Sequence, residues 1–211
     1  MNLYLLRHGL AVPDTDVNMQ TDRQRPLTPE GLKKSRRVAK ALKAMELSFE
    51  LILSSPYLRA HQTAEVVARE FGLGSGIELA DELTPEASPR QLLKKLESRR
   101  HLPKDLLLVG HEPFLSSLIS LLLCGSLEPR VVLKKSGLAK LSVISFQPES
   151  PAILEWLLTP KQMLLMLCGS LEPRVVLKKS GLAKLSVISF QPESPAILEW
   201  LLTPKQMLLM V

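Results

Sequence analysis

The 44 residues at 123–166 recur without a change at 167–210, and Val211 follows. Repeat architectures such as solenoids hold a pattern while individual residues drift, and they generally stack three or more units to close a core. An identical pair is a different object: a segment copied once, in evolution or by artefact. The unit that has to fold is therefore 1–166, with 167–210 surplus to it. The first copy is expected to complete the domain, because it continues the helix that should follow His111 without interruption. The second carries strand-like stretches at 175–178 and 182–190, an edge that invites pairing within the chain or with a neighbour.

The duplication also corrects the counts. Cys124 and Cys168 are one cysteine met twice, so cysteine number carries no disulfide or metal signal, and a reducing compartment suits the chain. Two of the six net positive charges belong to the second copy. The remainder is mildly basic, with Lys and Arg spread among acids and aromatics at only 4%, which suits an anionic small molecule or a phosphoprotein rather than nucleic acid. The densest basic run, Lys33, Lys34, Arg36 and Arg37, alternates with Leu32, Val38 and Leu42 at helical spacing and reads as a solvated helix face. The apolar stretch 118–124 is far short of the ~20 residues that cross a bilayer. Residues 1–6 enter an apolar run without the basic leader and cleavage site of a secretory signal. A cytoplasmic protein with no membrane partner is expected.

At 45% hydrophobic, the unique part can bury the core of one α/β domain. Residues 3–6 form a short apolar run that ends on Arg7, His8 and Gly9, the pattern of a buried strand with reactive groups at its C-terminal end. Residues 14–26 are polar and irregular. Thr28, Pro29 and Glu30 then supply an N-cap, a first-turn proline and an early acid for a helix striped by Val38, Ala39, Leu42 and Met45. A strand over 50–54 follows, then a helix opened by Pro56 and stopped at 72–76, a strand over 77–80, a helix capped by Ser88 and Pro89 and reaching Arg100, and a strand over 105–109. Beyond Gly125, strands over 131–134, 138–146 and 153–159 close the sheet. The rhythm implies a three-layer α/β/α fold with a mostly parallel sheet and antiparallel edge strands.

Four segments stand at the turns of this rhythm: Leu6-Arg7-His8-Gly9, Leu27-Thr28-Pro29-Glu30-Gly31, Ser54-Ser55-Pro56-Tyr57-Leu58-Arg59-Ala60-His61-Gln62-Thr63-Ala64, and Val109-Gly110-His111-Glu112-Pro113. In this order they closely resemble the histidine phosphatase superfamily, also called the phosphoglycerate mutase-like family, over 1–166. The Arg7-His8-Gly9-Leu10-Ala11 start, the Asp81-Glu82-Leu83-Thr84-Pro85 segment and the Trp156-Leu157-Leu158-Thr159-Pro160 ending are similar to SixA-type phosphohistidine phosphatases. Phosphoglycerate mutases carry long insertions and a glutamate soon after Arg-His-Gly; Leu10 and Ala11 stand there in this chain, which speaks against mutase activity.

The chemistry is readable beside the resemblance. Phosphoryl transfer needs an in-line nucleophile and positive groups around three equatorial oxygens. A neutral imidazole at His8 can attack phosphorus and form a covalent phosphohistidine that water then hydrolyses. Arg7 and Arg59 offer planar forked donors for phosphate oxygens, and the resemblance makes them the phosphate clamp. It also implies that His111 completes the pocket as an imidazolium. Gly9 would let the backbone approach the phosphate. Glu82, in a loop after a strand, is the candidate proton donor to the leaving group or an orienting group, and Arg25 either reaches the substrate or is a plain surface arginine. His61 and Glu65 share a helix face, but without an HExxH pattern or a third ligand they do not make a metal site, and no cofactor is implied. His101 lies beside Arg99 and Arg100 and reads as a solvated helix end.

The reading is thus a metal-independent phosphatase acting on a phosphohistidine protein. A small-molecule phosphomonoesterase acting on a phosphorylated metabolite, or a regulatory module that binds phosphate without turnover, are the alternatives.

Overall fold

The computed structural model of the chain describes residues 1–13, 22–74, 76–146 and 152–167, together with the backbone of 182–187 and 196–202. Apolar runs bounded by turn residues form the strands β1 (Asn2–Arg7), β2 (Leu51–Ser54), β3 (Ile77–Leu79), β4 (Asp105–Gly110), β5 (Leu138–Ser142) and β6 (Ile153–Leu158), joined in one sheet in the order β3-β2-β4-β1-β5-β6. The first four are parallel, and β5 and β6 add antiparallel at the β1 side. This is the mixed sheet expected.

Because side chains alternate across a strand, each central strand feeds two cores. Leu3, Leu5, Leu106 and Leu108 face one layer, packed by α3 (Pro89–Glu97) and α4 (Phe114–Cys124). Tyr4, Leu6, Leu107 and Val109 face the other, packed by α1 (Pro29–Ala44), α2 (Leu58–Phe71) and α5 (Pro160–Leu167). All eight are buried, as strands covered on both faces must be. Among the described residues no helix is long and apolar enough to cross a membrane.

The helix signals acted largely as expected. Thr28 caps α1, its Oγ1 accepting from the Gly31 amide at 2.9 Å. Gly31 is required for a second reason: a Cβ there would stand 2.0 Å from the Leu10 carbonyl oxygen, so only glycine lets the loop after β1 lie against α1. Pro56 does not open the second helix, which begins at Leu58 after Tyr57. The third helix stops at Glu97, short of Arg100, and Ser88 precedes it without a side-chain capping bond.

The segment 131–134 is not a strand. Val131 and Leu133 are buried as an apolar stretch should be, but the backbone bonds of Leu133 go to side chains: its amide donates to Glu112 Oε1 at 2.9 Å and its carbonyl accepts from Arg7 Nη1 at 2.7 Å. β5 and β6 are shorter than the apolar pattern, and α5 stands where no helix was expected. Two further strands, β7 (Leu182–Val187) and β8 (Ala196–Leu202), form a two-stranded antiparallel sheet. The expected loop at 14–26 and the strand stretch at 175–178 lie wholly or partly outside the described residues.

Candidate active site

β1 and β4 are parallel neighbours with Arg7 opposite Gly110, so the residues after them, His8 and His111, emerge side by side at the C-terminal edge of the sheet, where such folds place their chemistry. The His8 amide donates to the Gly110 carbonyl at 3.0 Å, and the two imidazole centroids are 5.0 Å apart. Arg7 comes from the end of β1 and Arg59 from the first turn of α2, adjacent to the pair. The four residues singled out from separate motifs therefore meet.

His8 is 7% exposed, and its Nδ1 lies 2.7 Å from the Gly9 carbonyl oxygen. A carbonyl only accepts, so Nδ1 carries the hydrogen and the lone pair is on Nε2. Burial pushes the His8 pKa down to about 3 against the opposing pull of that carbonyl, with the charges of Arg59, Arg7 and Lys135 adding to the depression. The ring is neutral at pH 7, the state a nucleophile needs.

His111 is 1% exposed, and its pKa is also strongly lowered, first by burial and then by His8, Arg59 and Arg7. The expectation of an imidazolium is corrected for the free protein: two guanidiniums and a second imidazole in a dry site disfavour another cation. Its Nε2 lies 2.9 Å from Ser55 Oγ, which also accepts from the Tyr57 amide at 3.3 Å. When the Ser55 hydroxyl donates to Nε2, the His111 proton sits on Nδ1, a nitrogen that is buried and unpartnered.

Arg7 Nε and Arg59 Nε are likewise buried without a partner. Buried polar nitrogens are rarely left so, and these belong to residues gathered around the neutral His8 imidazole, an arrangement able to take an anion. The outer nitrogens of Arg59 are engaged by Asp22, with Nη2 to Oδ2 at 2.9 Å and Nη1 to the backbone oxygen at 2.7 Å. Arg25 joins the same carboxylate, Nε to Oδ1 at 2.8 Å, so it is bound into the site's ion network rather than free on the surface.

Two other expectations change. Glu82 lies in a 3-10 turn (Asp81–Leu83) and gives its carboxylate to Lys95 Nζ at 2.7 Å. Partial burial raises its pKa, but the lysine outweighs this and the net shift is downward, so Glu82 is ionised and has no proton to give. Glu86 instead accepts from the Tyr57 hydroxyl at 2.9 Å, and the Tyr57 ring has the Arg59 guanidinium over it at 4.9 Å and meets His111 edge-on, centroids 5.1 Å apart. Gly9 is needed for packing: a Cβ would stand 2.6 Å from Ser35 Oγ, and the Gly9 amide is spent on Thr63 Oγ1 at 3.1 Å. Asp22, Ser55, Tyr57, Glu86 and Lys135 were not singled out from sequence. Among the described residues no cluster of three or more His, Cys, Asp or Glu is placed to hold a metal ion.

Comparison with known proteins points to one family. Residues 3–84 match the model of the histidine phosphatase superfamily, branch 1. The chain is 36% identical to an uncharacterized protein of Picosynechococcus over 78% of this chain and 99% of that one, and 32% identical to the phosphohistidine phosphatase SixA of Escherichia coli over 61% and 78%. Among solved structures, the protein histidine phosphatase SixA complexed with tungstate superposes with a TM-score of 0.66 at 29% identity, covering 76% of this chain and 98% of that one.

Proposed function

Because the chain belongs to the histidine phosphatase superfamily and is SixA-like, we propose that it is a metal-independent phosphatase that passes a phosphoryl group through His8, with phosphohistidine on a protein as its substrate. The observation that carries the reading is the tautomer of His8: the Gly9 carbonyl fixes the proton on Nδ1 at 2.7 Å and leaves Nε2 as the nucleophile, beside three unpartnered buried nitrogens on Arg7, Arg59 and His111.

In the first step the Nε2 lone pair forms a bond to phosphorus as the bond to the leaving group breaks. In the second, water attacks the phosphohistidine, phosphate departs, and Nε2 regains its lone pair. Arg7 and Arg59 neutralise the equatorial oxygens, and His111, in the tautomer whose Nε2 accepts from the Ser55 hydroxyl, adds an Nδ1–H donor. These groups supply the positive charge that other phosphatases draw from metal ions. The imidazole of a phosphohistidine leaves readily, which suits a site whose candidate acid, Glu82, is held ionised by Lys95. A reducing cytoplasm is the compartment that fits such a substrate. The second reading, a phosphomonoesterase on a small metabolite, asks more of leaving-group protonation.

The test is turnover of a phosphohistidine protein and of p-nitrophenyl phosphate with and without chelator. The proposal expects chelator-insensitive hydrolysis that His8→Ala abolishes, with the phosphohistidine protein as the better substrate. Preference for a small phosphomonoester would move the assignment to the second reading, and absence of turnover on every phospho-substrate would leave only phosphate binding.

A further inference from the structure

The site's arginines already hold an anion, and it belongs to the chain. The guanidinium of Arg59, on a residue only 4% exposed, gives both outer nitrogens to Asp22: Nη2 to Oδ2 at 2.9 Å, Nη1 to Oδ1 at 3.3 Å and Nη1 to the backbone oxygen at 2.7 Å. Arg25 takes the same carboxylate with Nε at 2.8 Å and is anchored by Nη1 to the Val12 carbonyl at 2.9 Å. A carboxylate spanning both Nη atoms has the geometry in which a guanidinium takes two phosphoryl oxygens. Asp22 and a phosphoryl group are therefore rivals for one fork.

Resting on the assignment of this site to phosphoryl transfer, we propose that Asp22 is a displaceable internal counter-ion: it pairs with Arg59 in the free protein and is exchanged for two oxygens of the phosphoryl group, staying on Arg25 when it gives way. The exchange keeps charges matched at both stages. Before it, one carboxylate lies between two guanidiniums; afterwards, Arg59 pairs with the phosphoryl group and Arg25 with Asp22. Leaving Arg59 bare in a dry pocket would be costly, and the exchange avoids that state. Its consequence is for affinity: substrate and product phosphate must each break the Asp22–Arg59 pair, so phosphate is held less tightly than the cations alone would hold it and is released more easily.

The probe is inorganic phosphate, titrated calorimetrically into the full chain and its Asp22→Asn, Asp22→Ala and Asp22→Glu variants. Exchange predicts binding about tenfold tighter in the Asn and Ala variants, the weight of one charge-assisted pair. The Glu variant keeps the rival carboxylate and stays within about threefold of the parent. A residue that merely aligns Arg59 from behind gives the opposite sign, weaker phosphate in both. Unchanged or weaker binding in Asn and Ala, or tightening in Glu as large as in Ala, overturns the exchange. Calorimetry reads binding without turnover, so a protein that behaved this way yet hydrolysed nothing would defeat the proposed function and leave the exchange standing.

Discussion

The two copies of the 44-residue segment have one sequence and two roles. In the first, β5 pairs with β6 from Leu138 opposite Leu158 to Ser142 opposite Ile153, with a register shift between Lys140 and Leu141. In the second, β7 pairs with β8 from Leu182 opposite Leu202 through Ser186 opposite Ile197, with the shift at the equivalent Lys184 and Leu185. The hairpin is thus a local property of the sequence. What differs is the neighbour: β5 adds to β1, whereas β7 and β8 make a two-stranded sheet of their own. The join to β1 is what gives the first copy a part in the site. Ser136 donates its amide to the carbonyls of Arg7 and His8 at 3.1 Å, and Arg7 donates its own to Gly137 at 3.1 Å. Lys135 adds charge near His8.

The strongest way to break this comparison is to make the same substitution in each copy. Leu138 is fully buried opposite Leu6 on β1, so Leu138→Asp in a chain lacking 167–210 should cost about 4 kcal/mol or more, enough to unfold a marginal domain. Leu182→Asp in the full chain should leave both the melting temperature and turnover of the first domain unchanged. Trp156→Ala, which removes a ring 6.2 Å from Tyr4, should destabilise by roughly 3 kcal/mol, and Trp200→Ala should not; urea unfolding followed by circular dichroism compares them.

Glu112 tests the link between the first copy and the site, since its carboxylate accepts from the amides of Leu133 at 2.9 Å and Ser116 at 3.3 Å. Glu112→Ala should cost about 1–3 kcal/mol and, by loosening the Leu133 carbonyl that steadies Arg7, raise KM for a phospho-substrate. A smaller effect concerns acid. His8 and His111 have folded pKa values below the unfolded value of about 6.5, so the unfolded chain takes up protons that the native site refuses. The stability they permit is full above about pH 6.5 and is lost as pH falls towards their folded values. His111→Asn should flatten that decline by roughly 1 kcal/mol per pH unit, measurable as unfolding free energy between pH 6 and 4. The smallest effect is expected from deleting 167–210, which should leave melting and turnover as they were; loss of folding would show that the second copy is structural.

Legibility followed the same division between local and distant causes. Thr28, Pro29 and Gly31 signalled α1 because capping is local, and the four central strands declared themselves as apolar runs. The 131–134 segment misled because its apolar pattern is that of a strand, while the groups that satisfy Leu133, Arg7 and Glu112, lie 126 and 21 residues away. α5 does carry a local signal: Thr159-Pro160-Lys161-Gln162 is a capping box, with Thr159 and Gln162 bonded reciprocally at 2.8 and 3.3 Å. At the site, His8, Arg7, Arg59 and His111 stand out because each belongs to a recognisable motif where a strand ends or a helix begins. Asp22, Ser55 and Glu86 do not, since an acid or a serine gains meaning only from the guanidinium, imidazole or phenol it meets in the fold. Glu82 drew attention by its position in a loop after a strand, and the lysine on α3 that claims it could not be read from spacing.

The central claim is a covalent phosphoryl group on His8, and rapid quenching of the full chain with a phosphohistidine protein, followed by peptide mapping under alkaline conditions, tests it most directly. A single phosphoryl group on His8, formed and lost at rates that account for turnover and absent from His8→Ala, is the predicted result. Hydrolysis at an undiminished rate in His8→Ala, or turnover during which His8 never carries phosphorus, would contradict it.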